Sequence, residues 1–217
     1  MTFHRLHRAT PNRYVYVRAQ SGLSMKPESV LKSIEREAKE KGLPIIGPYR
    51  GIFLDGVVKQ YRPKQILEVG TLVGYSAIRM ARLLPEGGLA TCVELSPHFA
   101  RIATSNVTRA GLDGKVHILV GDAKEILPEL EGGFDMLFLD ADKAEYLDYL
   151  MSCEPFLRSG SVVVADNVKS HSSELASYLR YVRNSGTFRS EYKEPKTDYR
   201  SGVRTAEPDA VEISVKL

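Results

Sequence analysis

The sequence has no tryptophan, only two cysteines, and no apolar run near the roughly 18 residues that a membrane span requires. Cys92 and Cys153 allow one bridge at most, which excludes a disulfide-rich secreted scaffold and fits a reducing cytoplasm. The start of the chain has no apolar h-region, so no secretory signal is expected. Glycine and proline number 17 and 11, with no repeat and no low-complexity tract, and this excludes collagenous and wholly disordered chains. What remains is an ordinary soluble composition, 43% hydrophobic and 26% charged, over 217 residues. That length suits one domain and buries a core without covalent staples.

Acidic residues are missing from one stretch. Residues 1–25 hold Arg5, Arg8, Arg13 and Arg18 and no Asp, Glu or Lys, so this stretch carries +4 and the rest of the chain −1 of the net charge of +3. We read 1–25 as a basic N-terminal extension and 26–217 as the folded domain. Such an arm can touch RNA, a membrane surface or an acidic partner. It faintly resembles a mitochondrial presequence. It can also be a solvated extension packed on its own or a neighbouring subunit, because four arginines make no dense patch.

Beyond the arm, strands and helices alternate. Pro27 and Glu28 open an amphipathic helix to Lys41, stopped by Gly42, and a second helix is expected near 49–61. Short apolar runs follow at 65–69, 89–94, 115–120, 134–139 and 161–165, separated by helical patterns at 74–84, 96–110, 123–130 and 143–157. A helix at 172–184, strands near 187–193 and 210–216, and a polar loop at 194–209 complete the pattern. Apolar strands alternating with helices mean βαβ units, hence an α/β fold with a mostly parallel sheet covered on both faces. Right-handed crossovers then restrict it to Rossmann-like windings.

The loop after the first strand reads Glu68-Val69-Gly70-Thr71-Leu72-Val73-Gly74-Tyr75-Ser76. Two glycines at a strand-to-helix turn let the backbone approach a ligand closely. The spacing is neither the dinucleotide G-x-G-x-x-G nor a P-loop. Glu94 ends the second strand, where a carboxylate can accept both ribose hydroxyls of a nucleoside. Asp122, before Ala123, can accept from an exocyclic amine, cap a helix, or do both. Glu68 is a carboxylate inside an apolar strand end and needs a donor or a cation there.

A second group of oxygen donors lies at strand ends. Asp140 closes the fourth strand, and Asp166 and Asn167 close the fifth. Ligands bind outside the carboxyl ends of the strands in open α/β sheets. Two carboxylates and an amide oxygen are hard ligands that suit Mg²⁺, Mn²⁺ or Ca²⁺, whereas helix capping and turn formation are the structural alternatives. Lys143 follows at a helix start, where a cation is unfavourable for the helix dipole, so a proton-accepting role is weighed against a plain surface lysine.

Taken together, E-V-G-T-x-x-G-Y-S, an acidic end to the second strand, F-L-D-A-D-K and A-D-N-V resemble the metal-dependent class I S-adenosylmethionine O-methyltransferases, the catechol and caffeoyl-coenzyme A type. The resemblance covers residues 27–217. It implies seven strands with an inserted antiparallel last strand. It implies a cofactor site formed by Ile46, Glu68, Gly70, Gly74, Ser76, Glu94, Asp122, Ala123 and Asp140. Mg²⁺ would be held by Asp140, Asp166 and Asn167. Lys143 would be the catalytic base. Lys143, Asn167 and Glu212 would meet a small vicinal diol, with Glu212 gripping its second hydroxyl. The chain departs from the mammalian catechol enzyme in having Ala141-Asp142 where that enzyme has a Trp wall. Tyr199, Phe188 and His171 are candidate replacement walls.

Three other readings stand beside this one. The same fold could methylate hydroxylated tRNA bases, given the basic arm and Arg180, Arg183, Arg189, Lys193, Lys196, Arg200 and Arg204. A non-catalytic nucleoside-binding module would not need Asp140, Asp166, Asn167 and Lys143 together. A Rossmann oxidoreductase is disfavoured by the glycine spacing. A homodimer is expected, with Tyr14, Val15, Tyr16 and Val17 as apolar surface for a second subunit.

Overall fold

The computed structural model describes residues 24–194 and 209–217. Most of the basic arm, its apolar Tyr14–Val17 stretch, Tyr199 and most of the 194–209 loop lie outside the described residues.

Helix α1 (Pro27–Lys41) starts on a proline and ends where Gly42 turns left-handed at φ 67°. Helix α2 (Gly47–Tyr61) also carries a proline in its first turn. Then come β1 (Gln65–Val69), α3 (Tyr75–Ala81), β2 (Leu89–Glu94), α4 (Pro97–Arg109), β3 (Val116–Val120), α5 (Ala123–Ile126), β4 (Phe134–Leu139), α6 (Tyr146–Cys153), β5 (Leu157–Ala165), α7 (Ala176–Asn184), β6 (Phe188–Lys193) and β7 (Val211–Lys216). Helix α1 has the expected bounds and α2 starts two residues earlier than expected, whereas α3 to α7 are shorter than the apolar pattern predicts. Pro128 converts the end of the expected 123–130 helix into a 3₁₀ turn, and Pro155 does the same after α6. The expected 172–184 helix forms only from Ala176, and β5 begins four residues before the predicted 161.

The strands form one seven-stranded sheet in the order β3-β2-β1-β4-β5-β7-β6. Strands β1 to β5 pair in parallel, and β7 inserts antiparallel between β5 and β6. The period-two alternation of the strands sorts the core into two halves. Ile66, Cys92, Ile118, Met136, Phe138, Val162 and Val164 face α1–α4. Leu67, Val69, Val93, Leu119, Leu137, Leu139, Val163 and Ala165 face α5–α7.

Two features position the site. The strand order reverses beside β1, so the carboxyl ends of β1, β2 and β4 open onto one crevice. On the α1–α4 face, a buried polar chain fixes α3. The Tyr75 hydroxyl donates to Glu35 (2.5 Å), Arg79 donates to Tyr75 (3.0 Å), and Arg79 forms a two-pronged pair with Asp55. Arg82 pairs with Asp55 as well, and leaving Asp55 without both arginines would strand a buried charge, so this network locks α1, α2 and α3 together.

Candidate functional site

The crevice is a cavity of about 610 Å³, within the range of small-molecule sites. It is bordered by the loops after β1, β2, β3, β4 and β5 and by the start of α2.

One end is built on backbone. Gly70 has φ 90°, and its amide donates to the Val93 carbonyl across the strand ends (3.0 Å). A Cβ there would lie 2.2 Å from the Asp140 carbonyl oxygen, so only glycine lets β1 and β4 approach this closely. Glu94 is buried at the end of β2. One of its oxygens accepts from the amides of Thr71 (3.2 Å) and Leu72 (2.7 Å), and the other from the amide of Ser96 (2.9 Å). The carboxylate therefore shapes the glycine turn itself, with Leu72 held left-handed at φ 49°. Asp122 caps α5 by accepting from Lys124 N (2.8 Å) and also borders the cavity, so both readings of it coexist.

The other end is charged. Lys143 Nζ donates to Asp140 Oδ1 (3.0 Å) and to the Ala141 carbonyl (2.9 Å), and lies over the Tyr146 ring. Asp166 is 1% exposed. Its Oδ2 takes a hydrogen bond from Arg50 (2.7 Å), and its Oδ1 has no hydrogen-bond partner among the described residues. Burial, and then the nearby Asp140 carboxylate, push the Asp166 pKa up to about 7. Asn167 is held left-handed at φ 64°, and its amide nitrogen donates to Asp209 (2.9 Å). That bond assigns the nitrogen and leaves the amide oxygen for another partner.

The structure brings Ile46, Gly70, Ser76, Glu94, Asp122, Ala123, Asp140, Lys143 and Asn167 to this one cavity. Four expected site residues are placed differently. Gly74 packs against α4, where a Cβ would meet Ala103 at 3.2 Å, so it serves helix packing. Asp166 sits behind the rim, reached through Arg50. Glu68 is fully buried beneath the glycine turn, where Thr71 donates to it (3.1 Å). Glu212 corrects the expectation most clearly. The alternation of β7 turns it toward α7, where Arg183 donates to both of its oxygens (2.8 and 2.7 Å). Because β7 runs antiparallel, the rim is reached by its N-terminal side, and the acid beside Asn167 is Asp209.

Arg50, Tyr75, Asp209 and the cavity-lining His171 carried no assigned site role in the sequence, apart from His171 as a possible wall. Arg50 shares one clue with Lys143, a positive charge near a helix start. Burial works against the charge of Asp209, but hydrogen bonds from Ser170, Asn167 and Ala210 outweigh it and hold its pKa well below the usual carboxylate range. Of the basic groups considered for RNA, Arg183 is committed to Glu212 and Lys193 to Glu191, while Lys196, Arg200 and Arg204 lie outside the described residues.

Two of these placements have measurable consequences. Arg183→Gln is expected to lower stability by about 1–2 kcal/mol, since it strands a buried carboxylate but removes a partly exposed partner. Melting should show the loss, while acceptor KM stays at the wild-type value; a raised acceptor KM would return Glu212 to the binding site. Burial raises the Glu68 pKa from 4.5 to about 7 against the hydrogen bonds of Ser76, Cys92 and Thr71. The folded state thus keeps a proton that the unfolded chain loses near 4.5. The resulting stability, at most about 3 kcal/mol, is complete at low pH and lost as pH rises through about 7. In Glu68→Gln that loss is absent. The variant's Tm is expected to gain several degrees on wild type between pH 5 and pH 8, whatever the constant cost of the amide.

The fold and the cavity define a class I methyltransferase, and solved structures agree. The O-methyltransferase from Bacillus cereus in complex with SAH superposes with a TM-score of 0.77 at 26% identity, covering 87% of this chain and 91% of that one. The O-methyltransferase TomG from Streptomyces achromogenes in complex with SAM gives 0.77 at 26% identity over 89% and 92%. The O-methyltransferase family model matches residues 21–178, and the chain belongs to that family. It is 39% identical to catechol O-methyltransferase of Mus musculus over 170 residues, 75% of this chain and 63% of that protein, so it spans less than two thirds of that relative. It is 34% identical to catechol O-methyltransferase B of Danio rerio over 215 residues, 95% of this chain and 79% of that one.

Proposed function

We propose that this chain transfers a methyl group from S-adenosylmethionine to a hydroxyl of a small catechol-like vicinal diol, with a divalent metal ion, Mg²⁺ or a similar hard cation, at the acceptor end. The observation that carries this reading is the pairing of Asp140 with Lys143 on the same rim as Asn167, next to the unpartnered Oδ1 of buried Asp166. A carboxylate oxygen buried without a donor is costly, and a cation relieves it. Among the described residues no three His, Cys, Asp or Glu side chains form a metal cluster, so the fit rests on two carboxylates and one amide oxygen. That donor set suits a hard cation that keeps other oxygen ligands.

When bound, the ion lowers the pKa of an acceptor hydroxyl and fixes its position. The protein's own residues do the rest. Gly70 and the turn held by Glu94 seat the nucleoside end of the cofactor, with Asp122 beside its base. Ile46 borders the same cavity and would lie near the methionine end. Asp140 and the Ala141 carbonyl accept two N–H bonds from Lys143 Nζ. As the neutral amine, Lys143 keeps a lone pair beside these two N–H bonds, and that lone pair takes the acceptor's proton. Asp209 holds the Asn167 amide so that its oxygen stays available on the rim. The hydroxyl oxygen then attacks the sulfonium methyl in line, and much of the acceleration comes from holding the two together.

Buried Cys92 and Cys153, both free thiols, fit the cytoplasmic setting that belongs to this proposal. No helix among the described residues is long and apolar enough to cross a membrane. The test is methyl transfer from labelled S-adenosylmethionine to catechol, caffeate, caffeoyl-coenzyme A and dihydroxybenzoate, each with Mg²⁺ and with EDTA. Transfer that EDTA and Asp140→Ala both abolish is expected. Cofactor binding without transfer to any diol, together with salt-sensitive tRNA binding, would overturn the acceptor in favour of RNA.

A further inference from the structure

The two carboxylates expected to hold the metal are each already paired with a cation, Asp140 with Lys143 and Asp166 with Arg50. Arg50, on Asp166, carries a planar guanidinium whose fixed fork of donors suits a carboxylate. Its Nε donates to the Ile46 carbonyl (3.2 Å) and its Nη1 to Asp166 Oδ2 (2.7 Å), so α2 holds the guanidinium against the end of β5. Phe53, Leu54, Phe138 and Val164 surround the pair, and the Asp166 side chain is only 2% exposed. In such apolar surroundings charges act on one another strongly.

We propose that Arg50 is a resident counter-cation that competes with the divalent ion for Asp166. The proposal rests on the metal-dependent reading given above and deepens it. With no metal, Arg50 offsets the buried carboxylate and stabilises the fold. A divalent ion at Oδ1 would share the carboxylate with the positive charge that Arg50 holds on Oδ2, so its binding would be weakened by the Arg50 pair. The two cations are therefore negatively coupled, and each lowers the other's affinity by the same factor. Arg50 also borders the cavity, so a released guanidinium stays at its acceptor end.

The test is Mn²⁺ binding followed by electron paramagnetic resonance, on protein free of cofactor and acceptor. Arg50→Gln is expected to bind Mn²⁺ about tenfold more tightly than wild type. Arg50→Lys, which keeps the charge, should stay within about threefold of wild type. Melting gives a second readout. Without metal, Arg50→Gln should melt below wild type, and Mn²⁺ should raise its Tm by more than it raises that of wild type. If Arg50→Gln does not fold, Arg50→Met, which keeps the apolar stem, is measured in its place. Equal or weaker Mn²⁺ binding in the neutral variants would overturn the competition while leaving the metal site standing, provided Asp140→Asn abolishes binding in the wild-type background. Absence of Mn²⁺ binding in wild type and neutral variants alike would remove the metal reading, and this inference with it.

Discussion

Replacing Lys143 by Met is expected to lower kcat by about 10²–10⁴-fold, the usual worth of a positioned general base, with S-adenosylmethionine affinity unchanged. The reason is geometric. The 3₁₀ turn Lys143–Glu145 is capped by Asp142, which accepts from the Ala144 amide (3.1 Å), and this turn aims Nζ at Asp140 and the Ala141 carbonyl. Methionine fills similar space and removes only the nitrogen. Lys143→Arg should fail nearly as badly, since guanidinium cannot take up a proton. Single-turnover transfer, with calorimetry for the cofactor, separates chemistry from binding. A Met variant that kept a tenth or more of wild-type kcat would assign the base elsewhere, and His171 would be examined next.

Gly70→Ala is expected to lose at least about 3 kcal/mol of stability, roughly a 10 °C fall in Tm for a domain of this size, and cofactor binding with it. The added Cβ would lie 2.2 Å from the Asp140 oxygen and 2.7 Å from its carbonyl carbon. Both atoms are backbone, so no flexible side chain can yield. Relief requires β1 and β4 to part at the point where the glycine turn meets the rim of the cavity. The left-handed φ of 90° adds strain of its own. Gly56→Ala is the control, because Gly56 lies in α2 with nothing within 4 Å of its Cβ and no positive φ. It should stabilise by about 0.4–1 kcal/mol. Equal melting of the two variants would show that the close approach at Gly70 carries no weight.

These two positions also mark how far the sequence reaches. Gly70 and Lys143 are legible because their placement is local. A glycine after an apolar strand, and a lysine three residues past a strand-end aspartate, need only strand direction and helix start to be placed. The same holds for the period-two strands, whose alternation dictates which residues face each half of the core. Gly74 shows the edge of that reach: the turn is local, but contact with Ala103 of α4 decides that this glycine serves packing.

By itself, the sequence determined the alternation of strands and helices, the glycine turn, and the presence of Asp140, Asp166 and Asn167 at strand ends. Only the tertiary structure decided the partners of those groups. Arg50 lies 116 residues from Asp166, and Asp209 lies 42 residues from Asn167. No spacing rule joins them, because side-chain pairing across a fold depends on how helices seat on the sheet. Glu212 and Asp209 make the point within a single strand. Both are acids near the last strand, and the sequence offered Glu212. The antiparallel insertion of β7 brought its beginning to the rim, and its pleat turned Glu212 toward Arg183. Strand direction and sheet order are long-range properties, settled by burial of both faces at once rather than by any local run of residues.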